Sequence, residues 1–196
     1  MKKQIIILSC FVLIVSSFLF SCFGAEPVEV KLKGFLVEQS DGKEILRPLE
    51  TDEKTTKVAP GDIVEYLLVA RNNTDETVDD LSLKGPVPES TELTSKWYGK
   101  IVDFAEGEGE EKPPVFMVLK PDKAEEDSKE IPMKLPERLP KFSIDGGKNY
   151  SFPPVEYEEA GKTKEAEASQ ITNVLWEVSE LPAQGEVQVR YRVTVQ

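Results

Sequence analysis

Histidine is absent from this sequence, and cysteine and aromatic residues are scarce. The 196 residues include no His and two Cys, and 8% of them are aromatic. Without histidine the chain cannot build the Ser-His-Asp or Cys-His groups of nucleophilic enzymes, nor a zinc site that uses imidazole. These absences favour a protein that is not an enzyme and that needs no cofactor.

Basic residues are also few compared with acidic ones. The chain has 24 Lys and Arg against 36 Asp and Glu, which gives a net charge of −12 and an isoelectric point near 4.7. A surface this acidic argues against nucleic acids and anionic membranes as partners. A chain of this length can bury about 70% of its unfolded surface, so it needs neither a metal nor a disulfide to be stable.

Residues 1–24 are predicted to be a signal peptide. Lys2 and Lys3 provide a basic start, and no charged residue follows until after Ala25. A basic start, an apolar run and then small residues are typical of secretory signals. We therefore expect an exported protein, located in the periplasm, at the cell surface or outside the cell.

Three fates of this segment remain open. Small residues before Ala25 allow ordinary cleavage, whereas Leu19-Phe20-Ser21-Cys22 resembles a bacterial lipobox, which would make Cys22 a lipidated N-terminus. The uncharged run is also long enough to span a bilayer without cleavage. Both cysteines, Cys10 and Cys22, lie here, so a chain that starts at Ala25 has no thiol, and its 22 basic and 36 acidic residues give −14. Membrane contact is expected only through this segment.

Residues 25–196 are predicted to form a single domain made of strands. The clearest strand is at the C-terminus, where five apolar residues alternate with polar ones: Val187, Val189, Tyr191, Val193 and Val195. This period of two is typical of a strand with one buried face. Shorter strands are predicted at 28–33, 35–37, 63–70, 78–83, 101–104, 115–119, 150–152 and 175–178, and Trp176 is predicted to be in the core. Many short strands separated by Pro and Gly favour a β-sandwich.

Two segments, 103–135 and 156–170, are predicted to be solvated loop insertions. Residues 103–130 contain ten acidic residues and four lysines, and residues 158–169 are rich in Ala, Glu and Lys without an apolar face. Such compositions bury too little apolar surface to offset the entropy of ordering. A brief helix is compatible with either segment.

Several turn and strand motifs resemble one family of secreted bacterial proteins. The motifs are Val58–Tyr66, Ala70–Thr74 and Leu81–Glu89, followed by Asn173–Val178 and Leu181–Glu186. Together they resemble the "conserved repeat domain" family, domain of unknown function number eleven, over about residues 55–95 and 140–196. The resemblance implies an immunoglobulin-like β-sandwich of about seven strands, exposed beyond the cytoplasmic membrane. It implies no catalytic residues.

The candidate binding residues lie in a turn and an aromatic pair. Ser143–Tyr150 resembles the Asp-box hairpin of sialidases, in which the carboxylate, here Asp145, caps backbone amides. A calcium or glycan role for Asp145 is the alternative. Trp97 and Tyr98 are predicted to be an exposed pair that contacts a partner, because aromatic residues are enriched at interfaces.

The paired acidic residues and the Asn triplets are not predicted to bind calcium or to carry glycans. Asp79-Asp80, Glu110-Glu111 and residues 125–127 lack the spacing of a calcium loop, so we expect them to be solvated. The triplets at Asn72 and Asn149 match an N-glycosylation pattern by chance, since the signal is of bacterial type.

The sequence thus predicts no catalytic, cofactor-binding or metal-ligating residue. We expect a non-enzymatic, exported structural or protein-interaction module of the bacterial cell envelope, whose partner is an envelope or extracellular protein. The alternative is a protein that binds glycans or calcium-bridged surfaces through its loops.

Overall fold

The structure is a computed structural model, and it describes residues 27–51, 54–105, 117–119 and 139–196. The predicted signal peptide, with Cys22, lies outside the described residues, as do residues 106–116 and 120–138 of the predicted acidic insertion. In the described ranges, no helix has the length and apolar character needed to cross a membrane.

The described residues form thirteen strands and one α-helix, with a single turn of 3-10 helix at Ala168–Gln170. In chain order they are β1 (Val28–Ser40), β2 (Lys43–Pro48), β3 (Glu50–Thr51), β4 (Lys54–Thr55), β5 (Ile63–Asn72), β6 (Val78–Pro86), β7 (Thr91–Leu93), α1 (Ser95–Ala105), β8 (Met117–Leu119), β9 (Lys141–Ser143), β10 (Glu156–Glu159), β11 (Lys162–Glu165), β12 (Asn173–Leu181) and β13 (Glu186–Val195).

Two antiparallel sheets enclose the core. The larger sheet has the order β2-β1-β5-β13-β7, and β8 also pairs with β13. The smaller sheet has the order β6-β12-β9. This confirms the predicted all-β sandwich. Six strands of these two sheets have six residues or more, and the additional ones, β7, β8 and β9, have three each.

The core lies between the two sheets, where the alternating residues of β13 meet the smaller sheet. Val187, Val189, Tyr191 and Val193 are buried, as the period of two predicts. Trp176 of β12 is fully buried against them, which confirms its predicted place in the core. Strand β5 lies between β1 and β13, so both of its edges are paired.

Tyr191 is packed on all sides at the centre of this core. Its ring centroid lies 5.3 Å from that of Tyr66 and 5.9 Å from that of Trp176. Its hydroxyl donates a hydrogen bond of 2.7 Å to the carbonyl oxygen of Pro86, and burial raises the pKa of this phenol well above its usual value. Gly85 lies against the ring, because a Cβ at that position would be 2.6 Å from Cε1 of Tyr191.

Substitution of Gly85 by alanine is expected to lower the free energy of unfolding by about 1–3 kcal/mol, as overpacking does in tight cores. The ring of Tyr191 cannot move away, since its neighbours and its hydrogen bond hold it. Urea unfolding measures the change. Gly99→Ala is the matched control: a Cβ there meets nothing within 4 Å, so helix α1 should gain up to about 1 kcal/mol. Equal effects of the two substitutions would contradict this account.

Helix α1 corrects one strand prediction. Residues 101–104 were expected to be extended, but they belong to the helix Ser95–Ala105. Tyr98 and Ile101 are buried, and Trp97 and Val102 are half-buried on the same side. The spacing of these four residues places them on one face of a helix, which packs on the open end of the sandwich near Phe142.

The prediction of a loop at 156–170 is also wrong. Strands β10 and β11 form an antiparallel hairpin, and the 3-10 turn follows it. The side chains of β11 are exposed and those of β10 nearly so, so the expected solvation is found, whereas Ala166 and Ala168 after the hairpin enter the core. Within the acidic segment, Met117–Leu119 pairs with β13, as the strand predicted at 115–119 requires.

Candidate functional site

Asp145 caps the turn that resembles an Asp-box. Its Oδ1 accepts backbone N–H groups of Lys148 and Asn149, each at 3.0 Å, and the Ser143 hydroxyl at 2.7 Å. Its Oδ2 accepts the Asn149 side chain at 2.7 Å. The Asn149 backbone amide, with the Ser143 and Asn149 side chains, holds the pKa of this carboxyl well below its usual range. Both oxygens therefore serve the turn itself.

The predicted aromatic contact pair is divided between core and surface. Tyr98 is only 6% exposed, with its ring edge-on to Phe142 at 5.1 Å between centroids, so the expectation of an exposed pair is wrong for Tyr98. Trp97 is half-buried and lies 6.1 Å from the same Phe142 ring. Neighbouring residues of a helix can both lie on its buried side, as Tyr98 and Trp97 do here. In a strand the two side chains would point to opposite faces.

Asn72 is a buried structural residue, so its glycosylation triplet has no accessible acceptor. Its Nδ2 donates to the carbonyl oxygens of Glu76, Leu181 and Pro182, and its Oδ1 accepts from Thr74. The side chain thereby ties the turn after β5 to the connection between β12 and β13.

The predicted carboxylate pairs form no metal cluster among the residues that the structure describes. Asp79 and Asp80 are both exposed, and residues 110–111 and 125–127 lie outside the described residues. In the described ranges, no three Asp, Glu, Cys or His side chains converge to hold a metal ion.

The candidate site that combines charged, hydroxyl and aromatic side chains is a cleft on the outer face of the smaller sheet, which we call the outer cleft. Its volume is about 380 Å³. It is lined by residues from four separate chain segments: Asp80, Leu81, Ser82, Leu139, Lys141, Phe152, Glu177, Val178 and Ser179.

The strand register explains why polar side chains meet here. Trp176 points into the core, so the next residue of β12, Glu177, points outward. Ser82 is directly opposite Glu177 on β6, and it shares that outer face. Phe142 points inward on β9, which leaves Lys141 beside them on the outer face.

Lys141 connects the polar and aromatic parts of the outer cleft. Its Nζ is 2.7 Å from Oε2 of Glu177, and it lies 5.1 Å from the centroid of the Phe152 ring. Phe152 is 41% exposed, so part of its ring is accessible to a ligand in the cleft. Cation–π contacts at such exposed positions contribute about 0.5–1 kcal/mol.

A second pair of the same kind lies next to the outer cleft. The Nζ atom of Lys84 is 5.8 Å from the ring centroid of Tyr150. Leu175 of β12 is paired with Lys84 on one neighbouring strand and with Lys141 on the other. All three side chains are on the outer face, and Leu175 is buried between the two lysines. This face therefore offers two aromatic rings, two ammonium groups and a covered apolar centre.

The polar groups of the outer cleft are one ammonium, two carboxylates and two hydroxyls. The ammonium of Lys141 is ion-paired with Glu177, and the hydroxyls of Ser82 and Ser179 have no hydrogen-bonded base in the described part of the chain. A serine hydroxyl needs such a base to act as a nucleophile.

The sequence patterns do not predict the outer cleft. They place Phe152 in a short predicted strand and Glu177 in the predicted strand of Trp176, and they do not bring the two residues together. The four segments meet through sheet pairing and the Phe142–Ser151 bridge, which no local pattern encodes. The available signal was Phe152 itself, a large apolar residue directly before two prolines and close to the Asp145 turn.

Comparison of the chain with protein-family models, with curated proteins and with solved structures gave no match. The resemblance to the repeat-domain family therefore remains an expectation that rests on the turn and strand motifs of the sequence.

Proposed function

We propose that this chain is a non-enzymatic, exported module of the bacterial cell envelope that binds another protein through the outer cleft. Export is supported by the basic, then apolar, N-terminal sequence. A binding role rather than a catalytic one is supported by the absence of histidine and by the ion-paired state of Lys141.

The observation that carries the proposal is the exposed Phe152 ring beside the Lys141–Glu177 pair. Protein interfaces are enriched in aromatic residues, which act as anchors, and charged groups at their margins select the partner. An aromatic anchor with one charge of each sign fits a protein segment that carries its own apolar and charged side chains.

A glycan is the second candidate ligand. Sugars stack on aromatic rings and accept or donate hydrogen bonds, and Asp80, Ser82 and Ser179 supply polar groups around Phe152. However, the ammonium of Lys141 already lies by that ring, which reduces the free aromatic surface. The geometry therefore favours the protein partner.

The test places a photo-cross-linking amino acid at position 152 of the full chain in a bacterial host. We expect a covalent adduct with one envelope protein, which Lys141→Glu should reduce because it reverses the charge beside Glu177. The same amino acid at Val58, which is 44% exposed and lies outside the cleft, is the control and should give no adduct.

Equal adducts at positions 152 and 58 would contradict a role for the outer cleft. Binding of the purified chain to a glycan panel, lost in Phe152→Ala and kept in Val58→Ala, would favour the glycan. Hydrolysis of a glycoside or ester that depends on Asp80 or Glu177 would overturn the non-enzymatic proposal.

A further inference from the structure

Strand β1 has an open edge at its N-terminal half. On the side away from β5, β2 pairs only with Phe35–Ser40. No strand in the described ranges pairs on that side with residues 28–33. Unpaired strand edges of this kind are templates for the addition of another strand.

At every second residue of this edge, the backbone N–H and C=O groups point away from β5. Gly34 accepts a hydrogen bond from the N–H of Leu49 on this side, at 2.9 Å. Because the direction of backbone groups alternates along a strand, the N–H and C=O groups of Val28, Val30 and Leu32 point to the same open side. These three residues could therefore form a complete antiparallel ladder with an added strand.

The side chains of the edge are apolar and uncovered. In the register with β5, Val30 is opposite Ala70 and Leu32 is opposite Leu68, so both point to the core side of the larger sheet. Nevertheless Val30 is 52% exposed and Leu32 is 50% exposed. They lie at the margin of the sandwich, where an added strand would cover them.

We infer that the occupant of this edge is a second copy of this chain, paired antiparallel about Val30. A two-fold axis at Val30 places Val28 opposite Leu32 of the second copy, and Glu29 opposite its Lys31. Each pair occurs twice, so apolar residues meet apolar ones and each acid meets a base. The sequence of the edge, Val-Glu-Val-Lys-Leu, is thus complementary to itself in charge and polarity.

This register is preferred over its neighbour. A two-fold axis at Lys31 would place Lys31 opposite its own copy, and like charges directly opposite each other destabilise a strand pair. Lysines on an edge usually prevent pairing. Here Glu29 offsets the charge of Lys31, since the two side chains are 2.8 Å apart within one chain. In the proposed dimer, Glu29 would also lie opposite Lys31 of the second copy.

The dimer is expected to be weak and reversible. Three hydrogen-bonded residue pairs give about six backbone hydrogen bonds, and only five residues of each chain take part. The interface is distinct from the outer cleft, so it does not depend on the proposed function.

Cysteine cross-linking in the full chain tests the register. In a hydrogen-bonded antiparallel pair the Cα atoms are about 5.5 Å apart, close enough for a short bis-maleimide reagent to join two opposed thiols. Val30→Cys should therefore form a covalent homodimer when it is treated with this reagent. A mixture of Val28→Cys and Leu32→Cys chains should cross-link to each other, whereas Leu32→Cys alone and Val58→Cys should give only the baseline of the unsubstituted chain.

Charge exchange tests the complementarity without a covalent bond. Glu29→Lys should weaken dimerisation, measured by sedimentation of the purified chain, by about tenfold or more. The double exchange Glu29→Lys with Lys31→Glu should restore it, since each charge again meets its opposite. Thermal unfolding of each variant checks that the monomer remains folded.

Three outcomes would overturn the inference. Cross-linking at position 30 no stronger than at position 58 would exclude this pairing. Failure of the double exchange to restore dimerisation in a folded chain would exclude the register. An adduct at position 30 with a different protein, in place of the homodimer, would show that the edge receives another partner.

Discussion

Truncation of Trp176 to alanine is expected to lower the free energy of unfolding by about 3–5 kcal/mol, the usual range for an emptied aromatic core site. Trp176 is fully buried, and its ring lies 5.9 Å from that of Tyr191, which in turn stacks on Tyr66. The surrounding strands are held in register by their ladders and cannot collapse into the space. Urea unfolding at pH 7 measures the change.

The control for this prediction is the same substitution at the second tryptophan. Trp97 is half-buried on α1 and contacts Phe142 by one edge, so Trp97→Ala should cost clearly less than Trp176→Ala. A cost below about 1 kcal/mol for Trp176→Ala would place that side chain outside the core, contrary to the fold described above.

The central strands could be predicted because their burial follows a local pattern. In β13 the apolar residues alternate without interruption from Val187 to Val195, and the observed burial alternates in the same way as far as Val193. In β5 the nearly continuous apolar run from Ile63 to Ala70 is typical of a central strand, and β5 has both edges paired. Trp176 was predictable because its apolar neighbours placed it in the same core.

Helix α1 could not be separated from a strand by its composition. Ile101, Val102 and Phe104 are strand-forming types, and Gly99 in the middle weakens any helical expectation. The spacing of Trp97, Tyr98, Ile101 and Val102 did contain the helical signal. This signal is short, and the contacts of Trp97 and Tyr98 with Phe142 in the tertiary structure favour the helix over a strand.

The open edge and the outer cleft depend on how far each sheet extends. The alternation of Val28, Val30 and Leu32 predicts a strand with one buried face, and the strand is present. Whether that face is covered depends on the width of the smaller sheet, which has three strands in the part of the chain that the structure describes. The outer cleft likewise needs the pairing of β9 with β12, which is a long-range contact. Neither property is encoded locally.

The outer face of the larger sheet holds a buried acid that the sequence pattern also did not reveal. Glu65 interrupts the nearly continuous apolar run of β5, and its carboxylate lies among charged partners although its side chain is only 6% exposed. Nε of Arg192 is 2.9 Å from its Oε2, and Nη1 of Arg190 is 3.5 Å from its Oε1. Arg192 also donates to both carboxylate oxygens of Glu44, at 3.1 and 2.8 Å.

Arg192→Met is expected to lower the free energy of unfolding by about 3 kcal/mol, the lower end of the range for breaking a buried ion pair. The substitution keeps the length of the side chain but leaves Glu65 with only the more distant Arg190. Arg190→Met is the matched control, since the Arg190 side chain is 49% exposed and its guanidinium lies farther from Glu65, so its loss should cost less than about 1 kcal/mol. Denaturant titration of both variants gives the comparison.

Part of the loss in Arg192→Met should depend on pH, because hydrogen bonds from Arg192 hold the pKa of Glu44 below its ordinary value of 4.5. A carboxyl whose pKa is lowered by folding stabilises the folded chain above its unfolded pKa, and it stops doing so as the pH falls through the folded value. The difference in unfolding free energy between the unsubstituted chain and Arg192→Met should therefore be largest near neutral pH and shrink below about 4.5. Glu44→Gln should remove most of this pH dependence while it leaves Glu65 paired with Arg192. A difference that stays constant from pH 7 to 3, or that grows on acidification, would show that the ion pair of Arg192 with Glu44 adds nothing to the stability of the folded chain.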